Sequence, residues 1–229
     1  MNPTHLLLAG MLAAFAASPV LAQQNTVKLG ISNVQPHSDT SDFSGPFTPP
    51  GISLEVRDKT TPFFSYIREI DDQWNVELAL GLPPKHDIAL KINNAGLPGN
   101  AQALSGQVGA KVRQVAPTLF VNYRFLEKTS PWRPFIGVGI NYTRFDKTSS
   151  TTAGDALNGG ATSISLEDSV GLALQGGVTY QITHQWSVSA ALATARVKSK
   201  ITTNTLGIER SADIRFNPRV FTVAVGYSF

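Results

Sequence analysis

From Arg219 to Phe229 the chain alternates without a break. Phe221, Val223, Val225, Tyr227 and Phe229 fall on one side; Val220, Thr222, Ala224, Gly226 and Ser228 fall on the other. A period of two is a β-strand, here with one bulky apolar face and one face of mostly small or polar residues. If the apolar face meets lipid, both edges of the strand have to be paired, because an open edge is not tolerated in hydrocarbon. The expected partner is the first strand of the chain, in a closed barrel.

The N-terminus supplies a route to a membrane. Leu6 to Val20 is an apolar, Ala-rich run followed by Leu21 and Ala22, the pattern of a secretory signal cut before Gln23. Its n-region holds His5 but no Lys or Arg, so an uncleaved anchor is the alternative. Residues 1–22 are expected to be removed, leaving 23–229 as one barrel domain. No later run approaches the roughly 20 apolar residues of a transmembrane helix. The chain is 42% hydrophobic, yet its mean hydropathy is −0.03, as expected when lipid-facing and lumen-facing residues alternate. The absence of cysteine excludes a disulfide scaffold, a lipid-anchored N-terminal Cys, thiolate metal sites and Cys nucleophiles. The net charge of +3 comes from scattered basic residues with no platform of stacking aromatics, which argues against a nucleic-acid partner.

Eight strands are predicted, at about 26–35, 60–70, from Trp74 to Leu82, 111–126, 132–146, 168–183, from Trp186 to Ala193, and 212–229. The register of the second is open because Phe63 and Phe64 are adjacent. Connections 71–73, 127–131 and 183–185 are short. Those at 36–51, 92–110 and 147–167 are long and rich in Gly, Ser, Thr, Asn and Pro, and the one near 204–211 is intermediate. The reading is an all-β, eight-stranded antiparallel transmembrane β-barrel with short periplasmic turns and long extracellular loops. Trp74, Trp132 and Trp186 each open a strand after a short turn, and Tyr227 and Phe229 reach the same level, so these five are expected to form an interfacial girdle. A soluble sandwich or lipocalin-like barrel could use the tryptophans as core anchors. It would, however, put its bulk inside, the reverse of the pattern here.

The segments Trp74–Asp87, Ala116–Leu119, Arg133–Thr143 and Phe221–Phe229, in this order and spacing along essentially all of 25–229, resemble the outer-membrane protein W (OmpW)/AlkL family. The resemblance implies an eight-stranded outer-membrane barrel and passage of small hydrophobic molecules, with release through the barrel wall. The long loops depart most, so the solute does not carry over. The C-terminal strand ending at Phe229 is expected to engage the barrel-assembly machinery.

An eight-stranded barrel has room only for side chains or one small ligand, which excludes an open channel of porin size. By strand parity Glu77, Arg124 and Arg133 face inward near the periplasmic turns and are expected to form an ion-paired plug, which equally fits a purely structural filling. A solute entering from outside then has to leave sideways. Pro83, Pro84 and Pro117, on adjacent strands at one height, are the candidate exit, because proline removes a ladder donor. Phe43, Phe47, Leu97 and Leu104 are the candidate lining of an outer funnel.

No cofactor is implied. The histidines at 5, 37, 86 and 184 lack paired ligand spacing, and Asp71-Asp72 reads as a turn and not as a calcium site. His86 and Asp87 are adjacent on a strand and point to opposite faces, so without a bulge they form no catalytic dyad. The leading expectation is passive, non-enzymatic uptake of a small hydrophobic compound. The alternatives are a structural or interaction barrel that presents its loops and, after that, a lipid-modifying enzyme.

Overall fold

A computed structural model describes residues 24–229. The expected signal segment 1–22 lies outside the described residues. Fifteen strands follow in chain order. They are β1 (Asn25–Gln35), β2 (Ser38–Thr40), β3 (Ile52–Val56), β4 (Lys59–Glu69), β5 (Trp74–Gly81), β6 (Lys85–Ile92), β7 (Val108–Val115) and β8 (Thr118–Arg124). Then come β9 (Trp132–Ser150), β10 (Thr162–Leu166), β11 (Ser169–Gln181), β12 (Trp186–Ala195), β13 (Val197–Thr205), β14 (Ile208–Phe216) and β15 (Arg219–Ser228). Two short helices, α1 (Gly99–Gln102) and α2 (Thr152–Asn158), sit in connections.

Eight of these strands close a barrel in the order β1-β4-β5-β8-β9-β11-β12-β15, all antiparallel. The last strand returns to the first, from Thr26 opposite Ser228 to Gln35 opposite Arg219, which leaves the barrel wall without a free edge. Parity sorts the side chains as the alternation requires. Val170 is 71% exposed and Leu172 68%, while Ser65 and Thr143 are fully enclosed. An apolar band on the outside with hydroxyls and amides inside calls for an apolar surround such as lipid. Phe64 pairs with Leu29 and Leu80 on the outer face and Phe63 with Gly30 and Gly81 on the inner, which settles the register of β4.

Above the lipid-facing band the wall continues as two separate sheets. One is β3-β6-β7 with the outer half of β9, and the other is β10-β13-β14-β2. They face each other across an apolar core that includes Leu54, Ile88, Leu90, Val112, Ile201, Ile214 and Phe216. Two of the expected strands are each divided in the fold. The strand expected at 111–126 is two, β7 and β8, parted at Ala116-Pro117; the strand expected at 212–229 is likewise β14 and β15, parted at Asn217-Pro218. Proline cannot donate to the ladder, so each strand bends there from the barrel into the outer sheets. The expected long loops also carry structure: β2 lies in 36–51, α1 in 92–110, and α2 and β10 in 147–167.

Candidate functional site

The lumen is divided by a buried polar layer. Glu77 on β5 stands 3.7 Å from Lys28 Nζ on β1, with both side chains under 10% exposed. Ser65 Oγ donates to Glu77 Oε1 at 2.7 Å; Gln175 Nε2 and Asn122 Nδ2 donate to Oε2 at 2.9 and 3.2 Å. Gln175 also donates to Asn122 Oδ1, and Asn122 Nδ2 to Asn75 Oδ1. Lys28 Nζ lies 5.5 Å from the ring centre of Phe135. A buried carboxylate and ammonium are tolerable because each is paired and the remaining lone pairs are hydrogen-bonded.

A second charged layer lies nearer the short turns. Arg124 is ion-paired with Glu69 and donates to the carbonyls of Asp71 and Asp72. Arg133 donates to the carbonyls of Asp72 and Phe125. Glu77, Arg124 and Arg133 thus all face the lumen but do not pair with one another. Their partners, Lys28 and Glu69, were missed by the sequence reading, although Lys28 already alternates with Val27 and Leu29 on β1. Parity shows that a residue faces inward; only strand tilt and stagger show which inward residues share a height.

Below the Glu77 layer is a polar cavity of about 490 Å³ lined by Glu69, Asp72, Arg124, Lys128, Arg133 and His184. Above it is a narrower one of about 150 Å³. Its floor is Lys28, Glu77 and Gln175, and its walls are mainly small or apolar, among them Ala79, Phe120, Ala173, Ala191 and Val220. His86 also lines it, buried, with Nδ1 3.2 Å from the Arg57 carbonyl and Nε2 without a hydrogen-bond partner among the described residues. β6 lies beyond the lipid band, and burial there holds the imidazole below its ordinary range, against the Arg57 hydrogen bond, which raises it. Asp87 points away from the lumen, as expected for the residue next to an inward one.

Leu80, Gly81 and Pro84 line the same cavity, at a place where the wall is incompletely laced. The β5–β8 ladder ends at Ala79 opposite Thr118. The β6–β7 ladder starts at Lys85 opposite Arg113, preceded by one bond from Gln114 N–H to the Pro84 carbonyl. Between them Leu80–Pro83 and Val115–Pro117 face each other without a ladder pair. On the other side β5 stays attached, since Leu82 N–H bonds to the Pro62 carbonyl and Thr61 Oγ1 caps the Leu82 carbonyl at 2.6 Å. Pro83 and Pro117 flank this interruption.

A third cavity, of about 80 Å³, lies at the outer end and includes Phe43, Phe47, Leu54, Ile201 and Arg210 in its lining. Phe43 and Leu104 pack against the outer apolar core. Leu97 follows a turn from Asn94 and lines neither this cavity nor the luminal one. At the opposite rim Trp74 packs on Tyr123, Trp132 on Tyr180 and Trp186 on Tyr227, with ring centres 5.1, 4.6 and 5.0 Å apart, and Tyr227 stacks on Phe229.

A family model described as the OmpW family matches residues 24–229. The chain belongs to the OmpW family. Outer membrane protein W of Vibrio cholerae serotype O1 is 31% identical over 222 residues, covering 96% of each chain. A dibenzothiophene metabolism operon protein, PahQ of Pseudomonas aeruginosa, is 27% identical over 93% of each. Among solved structures, the outer membrane protein OprG of Pseudomonas aeruginosa superposes with a TM-score of 0.79 at 26% identity, covering 91% of this chain and 96% of that one. This OmpW-family barrel therefore resides in the outer membrane of a Gram-negative bacterium.

Proposed function

We propose that this barrel conducts small hydrophobic molecules passively, from the outer cavity through the outer apolar core into the lumen and then sideways into the bilayer between β5–β6 and β8–β7. The observation that carries the reading is the pairing of a luminal cavity, closed below by the Glu77 layer, with an interrupted ladder at its side wall. About 150 Å³ is the volume that holds one benzene-sized molecule. A solute of that size cannot pass the plug without breaking the Lys28–Glu77 pair, whereas the Leu80–Pro83 interruption asks for no ladder bond to be broken. The operon name of the PahQ relative, which refers to metabolism of a sulfur heteroaromatic, fits an apolar cargo. The step needs no bond-making chemistry, so the protein acts as a conduit and not as an enzyme.

One observation favours a second reading. The outer core is apolar and shielded from solvent, with Ile88, Ile201 and Ile214 at most 2% exposed, as expected of a scaffold that presents surface loops to another molecule. Uptake of benzene-sized apolar solutes into cells with intact outer membranes separates the two. Replacing Pro83 with Thr and Pro84 with Val lets the ladder close, and uptake is then expected to fall toward that of cells lacking the barrel while the protein still inserts. Unchanged uptake in that variant sinks the lateral exit. No uptake by the unmodified, correctly inserted barrel shifts the function to surface interaction.

A further inference from the structure

On the face made by β12–β13 and β14–β15, the outward column changes abruptly from apolar to basic. Leu192 and Phe221 sit directly opposite one another and are 55% and 53% exposed. One outward position higher, Arg219 is opposite Thr194. Next comes Arg196, whose N–H bonds to the carbonyl of lipid-facing Leu172; above it Lys198 is directly opposite Arg215. Arg196, Lys198, Arg215 and Arg219 are all exposed. Among the described residues none of the four has a carboxylate within ion-pair distance.

Two like charges placed directly opposite in a ladder repel, which weakens the sheet unless an anion lies between them. The next rung shows the ordinary solution, since Lys200 is opposite Asp213 and has Glu167 alongside. Asp39 is opposite Arg215 from β2, and Asp168 adjoins Ser169, whose Oγ accepts from the Lys198 N–H; among the described residues neither carboxylate reaches ion-pair distance of the four basic side chains. An uncompensated basic cluster at the upper limit of an apolar band matches a ligand with phosphates on a sugar headgroup and acyl chains beneath it. Arginine binds phosphate through paired N–H donors, and basic clusters at a membrane boundary hold anionic lipid headgroups.

We infer that Arg196, Lys198, Arg215 and Arg219 form a seat for the phosphorylated glucosamine headgroup of the outer-leaflet glycolipid, lipid A, with its acyl chains along Leu192 and Phe221. In the barrel order this seat is diametrically opposite the β5–β8 interruption, with four strands in each half. Occupancy therefore leaves the proposed exit open, and the inference stands without the transport reading.

The test is native mass spectrometry of the folded barrel in detergent micelles. The probes are bis-phosphorylated lipid A, its fully dephosphorylated form and inorganic phosphate. Bound bis-phosphorylated lipid A is expected on the unmodified protein, with at least about tenfold weaker binding in R196Q/K198Q/R215Q/R219Q. The control K91Q/K111Q/R144Q/K147Q, on other faces, is expected to bind normally. If the fourfold variant does not fold, K198Q/R215Q and R196Q/R219Q are used separately, and each is expected to lose part of the binding. Equal retention by the variants, equal binding of dephosphorylated lipid A, or inorganic phosphate competing at similar concentration overturns the inference, the last by revealing a general anion site.

Discussion

The Lys28–Glu77 pair makes a quantitative prediction. Glu77→Gln keeps the shape of the side chain and an acceptor oxygen, but strands the Lys28 ammonium among buried atoms. Breaking a buried pair by removing one partner costs about 3–5 kcal/mol. Lys28 also lines the cavity below, where its flexible stem can carry the charge toward water, so the low end, about 3 kcal/mol, is expected. Lys28→Met is milder, about 1–2 kcal/mol, because Glu77 keeps three hydrogen-bond donors. The double variant carries no stranded charge and is expected to lose no more than about 2 kcal/mol. The cycle should therefore show a coupling of about 2–3 kcal/mol. Reversible urea unfolding in micelles, followed by the fluorescence of Trp74, Trp132 and Trp186, supplies the three free energies. If the single losses add to within about 0.5 kcal/mol, Lys28 and Glu77 do not act as a pair and the plug argument fails.

Other consequences follow from single contacts. A Cβ on Gly137 would stand 2.0 Å from Asn122 Oδ1, so Gly137→Ala is expected to displace the polar layer and cost about 1–3 kcal/mol in the same unfolding assay. Ile201→Ala, at a 1% exposed position between the outer sheets, is expected to loosen the outer core by about 2–5 kcal/mol and, under the conduit reading, to speed uptake; slower uptake contradicts that route. Trp186→Ala removes the ring contact with Tyr227 and should lower stability in lipid vesicles by at least about 0.5–1.5 kcal/mol. His86 binds a proton less readily folded than unfolded. The stability contributed by its neutral form is therefore complete above the ordinary value of 6.5 and is lost as pH falls toward the lower folded-state value. Hydrogen-exchange protection in β6 and β7, corrected for the intrinsic pH dependence of amide exchange, should fall between neutral and mildly acidic pH, and His86→Gln should remove that fall; identical corrected profiles in the two proteins refute it.

Much of the barrel was legible because its signal is local. A period of two in β1, β5, β9, β11, β12 and β15 identifies the strands, and bulk on one side against small residues on the other identifies the lipid face. Tryptophans after the short turns marked one rim. The outer sheets were less legible for physical reasons. β3 offers only Ile52, Leu54 and Val56 within a Gly- and Pro-rich stretch, and β13 buries Ser199, Thr203 and Thr205 alongside Val197 and Ile201, so its alternation is nearly mute in hydropathy. Pro117 was read as an interruption within one strand, and Pro218 fell unremarked inside the strand expected at 212–229, whereas in the fold each is the point where the wall changes sheets.

The amino-acid order by itself determined strand identity and which face each residue takes, since both depend only on neighbours along the chain. Tertiary structure decided which inward residues meet. Lys28 and Glu77 come from strands that are not adjacent in the barrel, and Arg196, Lys198, Arg215 and Arg219 from two hairpin arms joined by register. Those encounters depend on closure, tilt and stagger, which pair residues far apart in sequence and leave no periodic trace in it.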